Sequence, residues 1–262
     1  MPASRKTPIN THSAVRVCIG FILASALIAP AVWAEDAPAG LARRVAARAT
    51  EARRAREQYT YRQTVVVEEL TPNGVRAGEY RETREVVFSP RAERSENLVG
   101  RPVETLKHLK LTEEDFRDIR EVQPFLFDQE QLWAYETKPK GEETVDGVEC
   151  WVLQVRPRQI LAGQRLFDGL IWVGKKDYSI VRTNGKAVPE MRSKVKGENL
   201  FPRFTTIWKP IDGQYWFPVY TYADDTLDFR LGPQRIRMTI RYGDYRKFEA
   251  ETTIRFGEPV GK

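Results

Sequence analysis

Residues 235–242 alternate without a break: Ile236, Met238, Ile240 and Tyr242 on one side, Arg235, Arg237, Thr239 and Arg241 on the other. A period of two belongs to an extended strand whose faces meet different surroundings. The same alternation, or a short apolar run bounded by turn residues, marks 59–70 and 79–89 around Pro72-Asn73-Gly74. It recurs at 150–157, at 169–185 folded back at Gly174–Asp177, and at 204–211, 214–222, 226–231 and 235–248, with a last piece at 252–256. About ten strands in a meander with no crossover helices predict one large antiparallel sheet rather than a βαβ fold.

Two segments break this rhythm. In 39–58, Leu41, Val45, Ala49, Ala52 and Ala55 form a thin stripe of small residues, predicting a helix that lies close on a sheet. Arg43, Arg44, Arg48, Arg53, Arg54 and Arg56 crowd its other sides, as a solvated face or as a contact for anionic headgroups or an acidic partner. In the segment 102–135, Leu106, Leu109, Phe116 and Ile119 recur at helical spacings, and Thr112 with Asp115 three residues on reads as a helix start. One or two short helices among aromatic loops are expected there.

A sheet with one apolar and one arginine-bearing face must curl or be capped. Those two segments are the available caps, so the expected fold is mainly β (α+β): a curved antiparallel sheet wrapped around a helical lid as an unclosed barrel. The stretch "IDGQYWFPVYTYADD", 211–225, is bulky on both parities: Tyr215, Phe217 and Val219 point one way, Trp216, Tyr220 and Tyr222 the other. Both faces of this strand need cover, and Pro218, which lacks an amide donor, fits a sheet edge or a bulge.

The first residues carry Arg5, Lys6 and Arg16, then an apolar stretch interrupted by Pro30 and closed by Val32 and Ala34. That is the pattern of a secretory signal peptide cleaved near Ala34, leaving 35–262 as a single exported domain. Those three cations make half of the formal charge of +6, so the bulk charge gives no case for nucleic acid. Cys18 lies in the same segment, and Cys150, alone in "VECWVLQV", reads as a buried strand residue.

Familiar catalytic constellations are missing. His108 is the single histidine after the leader, and none of Ser89, Ser95, Ser179 or Ser193 sits in a nucleophile-elbow sequence. No His/Cys spacing suits zinc, and no glycine loop suits a phosphate. Asp224 and Asp225 are adjacent, so on a strand they face opposite ways. Neither an enzyme, a metal site nor a cofactor is expected. Arginines alternating with glutamates, as in "YRETRE", suit cross-strand ion pairs on a wet face better than a nucleic-acid platform.

Taken in order, these elements resemble the LolA-like family of periplasmic lipoprotein-sorting and lipid-binding proteins. The resemblance rests on the leader, the helix running into "REQYTYRQTVVVE", the strand "CWVLQVRP", the hairpin "GLIWVGKKDYSIVR" and Trp208–Pro218 with its W-x-P-x-x-G-x-Y-W-F-P pattern. It covers most of 39–248. It implies an open barrel whose apolar face shelters acyl chains under a helical lid. Two departures stand out: Pro90-Arg91 reverses an arginine-proline step, so no lid-latching role carries over to Arg91 or Arg94, and Gly174 follows "IWV" where an acidic residue is common.

On this reading the protein is a periplasmic, monomeric, non-catalytic carrier or chaperone for the acyl chains of lipids or lipoproteins. Leu170, Trp172, Tyr215, Phe217, Ile236, Met238 and Ile240 are the candidate cavity residues, and Phe116, Phe125 and Phe127 the candidate lid residues. The alternative is an envelope module that docks or senses a membrane-associated protein without lipid cargo. A continuous apolar void separates the two.

Overall fold

A single antiparallel sheet of 11 strands organises the molecule. The computed structural model describes residues 37–125, 127–189, 191–193, 197–199, 202–229 and 232–248. The expected leader, 1–34, and the expected strand at 252–256 lie outside the described residues. Helix α1 (Leu41–Arg56) leads into β1 (Tyr59–Leu70), β2 (Arg76–Phe88), β3 (Arg94–Leu98) and the two-residue β4 (Val103–Glu104). An insert follows: α2 (Glu113–Arg117), one π-helical turn at Asp118–Val122 and one 3-10 turn at Leu132–Ala134. Then come β5 (Tyr135–Val145), β6 (Val148–Pro157), β7 (Leu166–Gly174), β8 (Ile180–Val188), β9 (Met191–Ser193), β10 (Gly197–Asn199), β11 (Phe204–Ile211), β12 (Tyr215–Phe229) and β13 (Gly232–Lys247).

The strand order is β3-β2-β1-β13-β12-β11-β8-β7-β6-β5, with β4 on β2 and β9–β10 as a separate ribbon. Every neighbour is antiparallel, and the chain meanders except where β8 meets β11 across the β9–β10 ribbon, where β4 returns to β2, and where β1 meets β13, with Val65 opposite Ile240 and Val67 opposite Met238. The ends, β3 with β4 and β5, are not paired to one another, so the sheet stays open.

Three strands of the large sheet escape the sequence pattern, as do the two of the β9–β10 ribbon. Strand β5, "YETKPKGEETV", is exposed over most of its length and shifts register between Pro139 and Gly141. Charge, Pro and Gly are what keep an edge strand from recruiting another chain, and they also erase its alternation. The short β3 and β4 have no room for a pattern. Conversely, the expected strands 214–222 and 226–231 merge, over the described residues 215–229, into the one long strand β12, because Asp224 and Asp225 continue it instead of breaking it.

Pro218 lies in a central strand, at a bulge. Ile207 pairs with Tyr220 and Trp208 with Pro218, which leaves Val219 as the extra residue. Pairing of β12 with β13 begins only at Tyr220, and beyond it the Tyr245 hydroxyl donates to the Pro218 carbonyl at 2.7 Å. Cover along this strand is uneven: Phe217 and Ala223 are buried, whereas Tyr222 stays 44% exposed. Phe217 packs edge-on against Tyr59, and farther along the strand Tyr220 and Tyr222 stack on each other with the Arg241 guanidinium over Tyr220.

One face of the sheet carries the main core. Val65, Val67, Met238, Ile240, Ala223, Phe204, Trp208, Phe167, Ile171 and Leu153 line it, and Leu41, Val45 and Ala46 of α1 and Ile119, Val122, Phe125 and Phe127 of the insert close it from above. A smaller cluster of Val145, Cys150, Val152, Trp172 and Val181 sits apart from it. Among the described residues, no helix is long and apolar enough to cross a membrane.

Candidate functional site

The inner face is roofed by two pieces of chain joined to each other. Ala46, Ala49 and Ala52 let α1 lie close to the sheet, and its arginines fasten it there. Arg44 donates to the Tyr178 hydroxyl at 2.7 Å. Arg48 donates to the Gln214 carbonyl at 2.7 Å and to Ser179 Oγ at 3.3 Å, with its guanidinium 4.8 Å from the centre of the Tyr215 ring. Arg53 bridges to the insert through Asp128 at 3.1 Å and Glu130 at 2.7 Å, and the Gln129 amide donates to Thr50 Oγ1 at 3.1 Å. Three of the helix's arginines are therefore clamps, a role the charge pattern alone did not reveal.

The insert is held by polar latches around its rim. Buried Glu69 in β1 accepts the main-chain amides of Lys107 at 2.7 Å and His108 at 3.1 Å, and also contacts the His108 ring. Burial works to raise the Glu69 pKa, but these donors outweigh it and hold the carboxyl below its ordinary value. Arg94 in β3 donates to the Arg120 carbonyl at 3.4 Å and to Gln63 at 3.1 Å, and pairs with Glu96 at 2.9 Å. Arg94 thus touches the insert although the motif departure had withheld that role.

Asp118, with no exposure, is bound by the equally buried Arg165 side chain at the foot of β7. Burial raises the Asp118 pKa against the pull of Arg165. Thr112 caps α2 as the sequence predicts: its hydroxyl accepts the Asp115 amide, and the Asp115 carboxylate accepts the Thr112 amide at 2.7 Å. Burial pushes Asp115 up to about 6 despite those hydrogen bonds from Thr112.

Beneath the insert, the apolar floor is interrupted by a row of hydroxyls. Thr206 and Thr221, paired across β11 and β12, exchange a hydrogen bond at 2.8 Å, and Thr221 lies 3.4 Å from the Tyr242 hydroxyl. Thr183 in β8 stands opposite Thr206 in register. Gln123 covers the row: its main-chain carbonyl accepts from Thr206 at 2.9 Å, and its side-chain nitrogen reaches Met238 Sδ at 3.4 Å. Thr183 Oγ1 and Gln123 Oε1, both on fully buried residues, find no hydrogen-bond partner, nor do the indole nitrogens of Trp151 and Trp208.

Two spaces adjoin this roof. Between α1 and β8, β11 and β12, against Ala49, Ile180, Trp208 and Trp216, a void of about 10 Å³ remains, the room one water needs. A wider cleft of about 310 Å³ opens beside the insert among Arg117, Glu121, Glu130, Trp133, Gln164 and Arg165. Exposed Trp133 stands at its edge. No group of three or more His, Cys, Asp or Glu among the described residues could hold a metal ion. Cys150 is a buried thiol that burial pushes up to about 11, which keeps it protonated and unreactive at neutral pH.

The structure brings part of the expected set together. Met238 and Ile240 lie in the main core with Phe125 and Phe127, and half-buried Phe116 packs against the same cluster. Ile236 is buried on the same strand parity, opposite Glu69. Phe217 is buried in an aromatic group with Tyr59 and Tyr245, and Tyr215 sits half-buried beneath Arg48. Leu170 and Trp172 belong to the other cluster, where the Trp172 indole donates to Glu143 at 2.7 Å and Arg182 lies over its ring. Phe167, Ile171 and Val173 take the inner face of β7 instead. "FDGLIWVG" is apolar on both parities, so its pattern left the choice of face open.

The molecule thus presents an open antiparallel sheet with one apolar face roofed by a helix and a latched insert. It is similar to the solved structure of a LolA superfamily protein from Nitrosomonas europaea, at 14% identity, with 78% of this chain and 95% of that one covered and a TM-score of 0.35. It is similar also to a DUF1329 family protein from Desulfovibrio piger (14% identity, 79% and 90% covered, TM-score 0.36). A third similarity is to the Pseudomonas aeruginosa MucA/MucB complex (15% identity, 80% and 99% covered, TM-score 0.23). No family model and no curated protein matches the chain.

Proposed function

We propose that the protein is an exported, periplasmic, non-catalytic carrier or chaperone that shelters the acyl chains of a lipid or lipoprotein on the inner face of its sheet. The observation that carries this reading is the construction of the roof. The insert meets an apolar floor but is held at its rim by discrete polar latches, Glu69 to the 107–108 amides, Arg94 to the Arg120 carbonyl and Asp118 to Arg165. Such a cover can be exchanged for another apolar surface without dismantling the sheet. Chain burial would drive the exchange at roughly 0.8 kcal/mol per CH₂.

Met238, Ile240 and Ile236 are the floor residues in this reading, and Phe116, Phe125 and Phe127 the lid residues the cargo displaces; Leu170 and Trp172, on the other cluster, are left out. The void beneath α1, at about 10 Å³, has no room for an acyl chain, so in this reading the insert lifts to let one in. A leader removed near Ala34 and a monomeric state complete the proposal.

A second reading, an envelope module that docks a protein partner without lipid, draws on that same filled face and on Trp133, 70% exposed beside the 310 Å³ cleft. Native mass spectrometry of the exported protein, followed by lipid extraction, decides between them. A co-purifying acyl species near one-to-one, lost in a folded Met238→Asp variant, supports the carrier. An apo mass that stays unchanged after incubation with phospholipids and lipopeptides removes it and leaves the docking module.

A further inference from the structure

A floor built only to solvate hydrocarbon has no use for hydroxyls. A hydroxyl taken from water into an apolar setting without a partner costs about 1–3 kcal/mol, and apolar side chains of the same shape would fit those positions. Yet Thr183, Thr206 and Thr221 stand in one cross-strand row on β8, β11 and β12, each with no exposure, and the Tyr242 hydroxyl extends the row onto β13. They interrupt a face otherwise made of Phe204, Trp208, Ala223, Met238 and Ile240.

The closed state shows how one of these hydroxyls is used. Thr206 donates to the main-chain carbonyl of Gln123, an amide carbonyl that the insert lowers onto the floor. When the insert lifts, that acceptor leaves with it, and the linked hydroxyls of Thr206, Thr221 and Tyr242 are left with one donor that has nothing opposite. Thr183 Oγ1 is without a partner even in the closed state, as is the side-chain oxygen of Gln123 above it. The row contains no charge. Of the arginines whose charge reaches Tyr242, Arg56 and Arg94, the latter is bound to Glu96, and Arg165 is bound to Asp118. A seam of neutral donors inside an apolar face suits a neutral carbonyl and is poorly matched to an isolated carboxylate or phosphate, whose burial requires a counter-charge.

We propose that the seam Thr183–Thr206–Thr221–Tyr242 is a recognition site for the ester or amide carbonyl of an acylated ligand, and that the Gln123 carbonyl occupies it as an internal stand-in while the insert is closed. The inference rests on the carrier reading and narrows it. The cargo is a neutral acyl ester or acyl amide, held by its linkage as well as by its chain, rather than any hydrocarbon of suitable length. Exchange of one carbonyl for another also keeps Thr206 satisfied on both sides of the opening step, which removes an unpaired buried hydroxyl from its free-energy cost.

The test compares two uncharged probes on the full mature chain, dodecanoyl glycerol and the matching dodecyl glyceryl ether, which lacks only the carbonyl. The ratio of their affinities is the readout, since any change in how readily the insert lifts acts on both alike. The ester is expected to bind roughly tenfold tighter in the wild type, the value of one well-made hydrogen bond. Thr206→Val should bring the ratio close to one, and Thr206→Ser, which keeps the hydroxyl, should preserve it. Thr183→Val, on a neighbouring strand, should lower it independently. Equal binding of ester and ether by the wild type overturns the seam while leaving the carrier intact, and needs no variant to fold. A ratio unchanged in both valine variants overturns it too. If neither probe binds, the carrier reading falls and the seam with it.

Discussion

Gly169 and Gly185 stand opposite each other across β7 and β8, and the ring of Phe167 lies over both. A Cβ on Gly185 would come within 2.5 Å of that ring and of the Asp168 carbonyl, and one on Gly169 within 2.3 Å of the Asn184 carbonyl. Phe167 in turn stacks on Phe125 of the insert at 4.3 Å. Two absent side chains on the sheet therefore seat the aromatic contact through which floor and insert meet.

Gly185→Ala should push Phe167 out of that seat and destabilise the protein by about 1–3 kcal/mol, the usual range for overpacking. Urea unfolding measures it. Gly243→Ala is the control, because a Cβ there meets nothing within 4 Å; it should be neutral or slightly stabilising, as Gly is a poor strand residue. Equal effects of the two substitutions would refute the seating.

The Asp118–Arg165 pair predicts a cycle rather than a single loss. Both side chains are essentially buried, so Asp118→Ala takes this carboxylate away from the buried Arg165 guanidinium and should cost about 3–5 kcal/mol. Replacing both, with Asp118→Leu and Arg165→Met, removes the charges together and should recover most of that stability. A double variant as unstable as the single would mean that the pair is not what Asp118 contributes.

The arginines of α1 should separate sharply under substitution. Arg48 binds the Gln214 carbonyl, Ser179 and the Tyr215 face, so Arg48→Ala loses a hydrogen bond, a cation–π contact and packing together, about 1–2 kcal/mol. Exposed Arg43, for which no such clamp is seen, should change stability by less than about 0.5 kcal/mol as Arg43→Ala. Thermal unfolding of the two variants side by side tests the contrast, and matching melting temperatures would remove the clamp.

The alternation of 235–242 makes β13 and its facing legible in the residue pattern itself, and the capped turn at Thr112 is legible because its chemistry is local. Facing is ambiguous where both parities are apolar: nothing in "FDGLIWVG" says that Ile171 rather than Trp172 meets the insert, since that depends on which side α1 and the insert occupy. The latches are invisible for a related reason. Glu69 and Lys107, or Arg53 and Asp128, lie far apart along the chain and carry no joint signal until the fold sets them together. A glutamate at the apolar parity of β1 is the one available hint, a charge where the pattern asks for Ile or Val. The threonine seam is hidden differently again, because Thr is at home on any strand and reveals a buried role only through its neighbours.

The carboxylates of the insert set an unusual direction for its response to acid. The Asp115 pKa, pushed up to about 6 by burial, lies above its unfolded value, so the native state holds the proton more tightly. Its contribution to stability is fully present below the unfolded carboxylate value and is lost as pH rises through about 6. Asp118 is shifted in the same direction by burial. Glu69 is shifted the other way, and its contribution is present above the unfolded value and lost only as pH falls through its depressed folded pKa. Between pH 7 and pH 5 Asp115 therefore governs, and mild acid should tighten the α2 end of the insert. Hydrogen exchange at the amides of 116–122, corrected for intrinsic rates, should show protection rising roughly tenfold over that interval. Asp115→Asn should remove that rise. Protection that falls from pH 7 to pH 5 would show that burial does not control these carboxyls, and that the rim latches, rather than the buried aspartates, set the acid response of the insert.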